Sequence, residues 1–289
     1  MPDTRPQPAT VESLTLSPTD LAPGDARSAD FDWNGLTLHL ISRADDPLFE
    51  PAYQKLWDEF GSHDSMEQRG VIISRLQWNP SQPLDRWCFL YRLIAVCKDG
   101  KPIAVRDCTA MLHRQRPEEV FVHLSHALVD FNFRGGGLAA WLRAFPVQIA
   151  RRCHHTAGYG GRTNVTLMAE MEHPSPGDAM SMKRLTSYGR ANFQKIDPKA
   201  VDYRQPDFRP PTEIDHSGGP SPLPYMLIVR RVGREFDSSL RGAEVRHMVH
   251  ALYSMYGVHF RPQDMAAAWQ TLNQYPPDDA VVRLLHPTE

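Results

Sequence analysis

Three consecutive glycines, Gly135, Gly136 and Gly137, carry the clearest chemical signal in the chain. With no Cβ in the turn, backbone N–H groups there and at the start of a following helix can converge on an anion at contact distance. Arg134 adds a full positive charge beside them, and the small Ala139 lets the helix start approach a sheet closely. The pattern reads as a phosphate cradle, with a glycine-rich turn that binds nothing as its plain alternative. Two other phosphate motifs fit less well. A Walker loop requires G-K-[ST], which does not follow these glycines. A dinucleotide fingerprint can be traced through Gly135, Gly137 and Ala140, but it needs an acidic residue about 20 positions later. No Asp or Glu lies between Phe131 and Ala169. Cys153-His154-His155 resembles a metal tract, yet adjacent ligands rarely converge on one ion, so it reads as a polar helix end.

Periodicity outlines the elements that must position this loop. Residues 1–34 contain five prolines and no sustained period, and read as a flexible tail. Leu36, Leu38 and Leu40 alternate over a strand, and Asp46-Pro47 opens a helix whose Phe49, Tyr53, Leu56, Trp57 and Phe60 share one face. Residues 64–78 predict a second helix. Phe89–Cys97 and Ile103–Met111 form a hairpin about Asp99-Gly100, and Val120–Val129 predicts one long strand. Spacing turns helical directly after the glycines, with Pro146 kinking or ending that helix. A strand at Val165–Met171, a helix over 178–188 and strands at Phe193–Ile196 and Tyr225–Val232 complete a mixed α/β sheet. Residues 198–224 hold seven prolines and predict an irregular surface excursion, of the kind that borders binding sites. Residues 233–289 predict a helical extension in which Tyr253 and Tyr256 are core contacts.

The stretch Val129–Ala139 resembles the acyl-CoA motif [QR]-x-x-G-x-[GA] of the GCN5-related N-acetyltransferase (GNAT) superfamily, with Arg134, Gly137 and Ala139 in its three positions. Ala127-Leu128-Val129 resembles the splayed strand whose backbone pairs with pantetheine in that family. Leu185–Phe193 is similar to its Y-x-x-x-G-F stretch, Tyr188 and Phe193 matching while Asn192 replaces the glycine. Asparagine tolerates positive φ, so the same helix exit stays open to it.

The resemblance covers residues 35–232, with the tail and the C-terminal helical extension outside it. It implies a mostly antiparallel central sheet flanked by helices, and acetyl-CoA or another acyl-CoA as co-substrate with no metal. An amine acceptor would attack the thioester directly. The co-substrate would lie on Leu128, Val129, Arg134, Gly135, Gly136, Gly137, Leu138 and Ala139, with a backbone N–H near Leu128 polarising the thioester carbonyl. Tyr188, a phenol protonated at neutral pH with a reference pKa near ~10, would protonate the departing thiolate. Glu170 is the candidate base, and Glu172, His123 and His126 compete with it.

Composition bounds the alternatives. The 289 residues carry 32 Lys and Arg against 34 Asp and Glu, a net charge of −2, so no field recruits nucleic acid or an anionic membrane. No apolar run approaches the ~18 residues of a membrane span. The first thirty residues lack a secretory signal, which predicts a cytoplasmic protein. Cys88, Cys97, Cys108 and Cys153 form no C-x-x-C pair and read as reduced core residues. Two further functions stay open: a non-catalytic acyl-CoA-binding or protein-interaction module, and a nucleotide-dependent oxidoreductase. The proline-rich excursion and C-terminal helices lie where such folds build an acceptor pocket or a homodimer contact.

Overall fold

The computed structural model describes residues 13–61, 65–174 and 177–289. In chain order its elements are β1 (Leu36–Ile41), α1 (Phe49–Phe60), α2 (Arg69–Leu76), β2 (Trp87–Lys98), β3 (Lys101–His113), β4 (Glu119–His123), β5 (Ala127–Val129), α3 (Leu138–Ala144), α4 (Pro146–Thr156), β6 (Asn164–Glu172) and α5 (Ala179–Arg190). After these come β7 (Gln194–Ile196), β8 (Arg204–Gln205), α6 (Pro211–His216), β9 (Leu223–Arg231), β10 (Ser239–Arg241), α7 (Gly242–Tyr256), α8 (Pro262–Thr271) and β11 (Val281–Leu285).

The strands form one sheet in the order β1-β2-β3-β4-β6-β9-β7-β11-β10, with β5 also on β3 and β8 on β9. Among the described residues β4 and β6 are the parallel pair, and the other pairings are antiparallel. Alternation along β3 sends Ala104, Cys108, Ala110 and Leu112 to a core under α3 and α4, and Val105 and Met111 to a core under α1, α2 and α7. All four cysteines are buried. Asp99 and Gly100 take φ of 50° and 73° in the β2–β3 turn, the left-handed pair a tight hairpin demands. Pro146 opens α4 at the first helical position, where a missing N–H costs nothing. Asn192 leaves α5 with φ of 58°.

The N-terminal segment departs from the expected flexible tail. Residues 1–12 lie outside the described residues, but 13–34 strap across α3, α4 and β9 in two 3₁₀ turns, Pro18–Asp20 and Pro23–Asp30. Leu21 and Ala22 are buried, and Arg230 donates to the carbonyls of Asp20 and Leu21 at 3.0 and 3.1 Å. Arg143 grips both carboxylate oxygens of Asp25, and Arg151 pairs with Asp20 at 2.7 Å. These partners lie far along the chain, so composition alone reads the segment as unable to order.

Two smaller differences bear on function. The strand expected over Val120–Val129 breaks at Leu124–His126, because the N–H of His126 donates to the Asp107 carboxylate at 2.7 Å instead of joining a ladder. The second helix is shorter than expected, Arg69–Leu76. The C-terminal extension is helical in α7 and α8 and also adds β10 and β11 to the sheet.

Candidate active site

The break after β4 opens the sheet. The parallel ladder ends where Leu124 N–H donates to the Met168 carbonyl at 2.8 Å. Beyond it β5 stays on β3 while β6 stays on β9, so the two strands part. A cavity of about 580 Å³ passes through the gap. Arg106, Leu142, Arg143 and Tyr188 line it on the α3 side, and Phe60, Glu67, Phe208 and Tyr256 on the α1 and α7 side.

Backbone parity decides which peptide groups face this gap. Asp107 N–H donates to the His126 carbonyl and Asp130 N–H to the Ile103 carbonyl, which makes Leu128 and Val105 the hydrogen-bonded pair between them. Leu128 therefore turns its N–H to β3, so an N–H near it that serves a thioester carbonyl has to come from a neighbour. Ala127 and Val129 turn theirs to the gap. The Val129 carbonyl accepts from Arg134 Nε at 2.8 Å, so that side chain braces the strand end.

The glycine loop follows. Gly135 and Gly137 take φ of 83° and 105°. Among the described residues the N–H groups of Gly135, Gly136, Gly137, Leu138 and Ala139 have no protein acceptor, whereas those of Arg134 and Ala140 donate to Phe131 and Gly137. Of these five residues Ala139 lines the cavity. The strap forms one wall of the loop: a Cβ on Gly137 would lie 2.9 Å from Ser28 Oγ, and one on Gly136 3.7 Å from the Phe31 ring.

Tyr188 meets the cavity from α5. Its hydroxyl accepts from Arg106 Nη2 at 3.0 Å, which leaves its own proton free to donate, and its ring packs edge-on against Phe193.

On the far side of the gap the Glu170 side chain is 4% exposed, at the cavity wall. Tyr203 and Tyr256 hydroxyls donate to it at 2.5 Å each, Gln205 Nε2 at 3.2 Å and His123 Nε2 at 2.9 Å. Burial alone would raise its pKa, but the bond and charge of His123 and the two phenols hold the carboxyl below its ordinary value. A carboxylate so held, with both oxygens engaged, is a poor proton acceptor. His123 is better disposed: with Nε2 on Glu170, its Nδ1 faces the Ser125 hydroxyl at 3.2 Å at the cavity wall. Glu172 is exposed and pairs with Arg184 at 3.0 Å.

His126 belongs to a second buried network. Its Nδ1 lies 3.1 Å from Asp107, its Nε2 2.8 Å from the Ser65 carbonyl, and Tyr91 donates to the same carboxylate at 3.0 Å. Burial opposes its charging, but the Asp107 carboxylate outweighs this and pushes its pKa up to about 9. With both ring nitrogens donating, His126 is an imidazolium with no lone pair to offer. The folded state holds this proton more tightly than the unfolded chain, where histidine titrates near ~6.5. Its stabilisation is complete below that pH and is lost as pH rises through about 9. Denaturant-unfolding free energy should therefore decline across that interval, by on the order of 3 kcal/mol, and His126→Gln should flatten the decline.

Sequence reasoning overlooked Arg106, Ser125, Tyr203 and Gln205, and took Tyr256 for a core contact. One signal was available: Arg106-Asp107 is a charged pair inside the otherwise uncharged, mainly apolar run Ile103–Met111, where charge is rarely buried without a task. Among the described residues no cluster of three His, Cys, Asp or Glu could hold a metal ion, and no helix is long and apolar enough to cross a membrane.

The splayed parallel pair, the glycine loop and the helix behind it give the chain the GNAT-like fold that the sequence resemblance implies. No protein-family model and no curated protein matches the chain. Solved structures do. An acyl-CoA N-acyltransferase from Pseudomonas aeruginosa aligns at 17% identity over 68% of this chain and 99% of its own, with a TM-score of 0.37. A probable acetyltransferase from Staphylococcus epidermidis aligns at 11% identity over 68% and 98%, also at 0.37. An aminoglycoside acetyltransferase from an uncultured soil metagenomic sample aligns at 13% identity over 53% and 87%, at 0.33.

Proposed function

We propose that the chain is an acyl-CoA-dependent N-acyltransferase, with acetyl-CoA as the simplest co-substrate and a primary amine as acceptor. One observation carries this reading. A single cavity joins Ala139, at the end of the run of five free amides, and Tyr188 on one face of the sheet to His123 and Glu170 on the other.

The amides of Gly135–Ala139 would hold the diphosphate, and the outward peptide groups of Ala127 and Val129 the pantetheine arm. The thioester would then lie at the strand break, between Tyr188 and Ser125. An amine entering between Phe60, Phe208 and Tyr256 attacks the thioester carbon, forming the C–N bond as the C–S bond breaks. His123 Nδ1 takes the amine proton, directly or through the Ser125 hydroxyl, and Glu170 stabilises the resulting imidazolium. Tyr188 gives its proton to the departing sulfur.

Calorimetric titration with CoA and acetyl-CoA, followed by thiol release against a panel of amines, tests the reading. Binding with amine-dependent thiol release is expected. Absence of CoA binding overturns the reading, while binding without release by any amine favours the non-catalytic module.

A further inference from the structure

Arg106 is 2% exposed, yet no carboxylate among the described residues pairs with it. Four other buried arginines are answered by carboxylates: Arg75 by Glu67, Arg143 by Asp25, Arg230 by Glu235 and Arg231 by Asp237 and Glu244. The neighbouring Asp107 lies on the opposite face of β3 and is matched by His126. Among the described residues Nε and Nη1 of Arg106 have no hydrogen-bond partner, and Nη2 donates to the Tyr188 hydroxyl. A buried cation without a counter-ion is costly, and the folded protein retains it here at the edge of the cavity.

The charge becomes intelligible if an anion forms next to it during turnover. We infer that Arg106 is the positioning residue for the leaving group: it orients the Tyr188 phenol toward the thioester sulfur and supplies the counter-charge for the thiolate. This rests on the acyl-transfer reading. As the C–S bond breaks, the electron pair goes to sulfur, the Tyr188 proton follows it, and the phenolate left behind faces a guanidinium at 3.0 Å. Solvent restores the phenol proton after CoA leaves. Arg143 cannot take this part, because Asp25 already neutralises it although its guanidinium lies 5.8 Å from the Tyr188 ring.

The test uses the full chain saturated with CoA, following thiolate absorbance in the ultraviolet against pH. In the wild type the bound thiol should ionise about one pH unit or more below a free thiol, whose reference is ~8.5. Arg106→Gln should return it to the free value and lower kcat roughly 100-fold, with the acyl-CoA KM nearly unchanged and the loss shrinking for thioesters of more acidic thiols. Arg106→Lys should keep the early ionisation but lose part of kcat, since an ammonium lacks the planar fork that fixes the phenol. Unshifted ionisation in a wild type that binds CoA overturns the inference and leaves acyl transfer standing. A glutamine variant that keeps the shift does the same. Should that variant fail to fold, a folded lysine variant with wild-type kcat overturns it. No CoA binding by the wild type removes the acyl-transfer reading itself.

Discussion

Replacing His123 by glutamine should lower kcat by about 10²–10⁴-fold, the range expected when a positioned base is removed. Glutamine is the informative choice, because its amide can still donate to Glu170, which keeps a donor in place of the 2.9 Å bond from His123. Removing that donor altogether would leave a buried carboxylate less satisfied and confuse catalysis with stability. The acyl-CoA KM should stay within a few-fold, since His123 lies across the sheet from the glycine loop. Steady-state kinetics with a melting curve on the same sample separates the two effects. A folded variant with unaltered kcat would exclude His123 as the base and return the search to a water relay.

A second large effect is expected at Gly137. Valine there would have to adopt a φ of 105° and place its Cβ 2.9 Å from Ser28 Oγ. Holding a side chain in that region costs about 1–3 kcal/mol, and the strap must shift as well. The melting temperature should fall, and CoA affinity by calorimetry should drop at least ~10-fold as the amides lose alignment. Gly136→Ala is the matched comparison: its Cβ meets only the Phe31 ring at 3.7 Å, an ordinary contact, without positive φ. It should melt like the wild type while still weakening CoA through the methyl group placed in the loop. Unchanged affinity in both variants would remove the loop from the co-substrate site.

The elements were legible wherever a local period set them. Phe49–Phe60, the hairpin through Asp99-Gly100 and the switch to helix after Gly137 coincide with the structure, because each is governed by neighbours within a few residues. The glycine loop was visible for the same reason. What escaped was decided by distant partners. Asp107 breaks the strand at His126 from 19 positions away, and Glu170 is enclosed by Tyr203 and Tyr256, which are 33 and 86 positions downstream. A carboxylate on a strand reads as a candidate base until the phenols around it are known, so the sequence alone favoured Glu170 over His123. The strap was missed likewise: its order comes from partners far along the chain, Arg143 and Arg230 and the core on which Leu21 and Ala22 dock.

That strap also sets a schedule for biosynthesis. Arg230 anchors the carbonyls of Asp20 and Leu21 across 210 and 209 positions. At roughly 5–20 residues translated per second, the strap must therefore wait some 10–40 s for this anchor to be synthesised. Until then the strap is held only by its contacts with α3 and α4, through Arg143 and Arg151, and the wall beside the glycine loop lacks its anchor on β9.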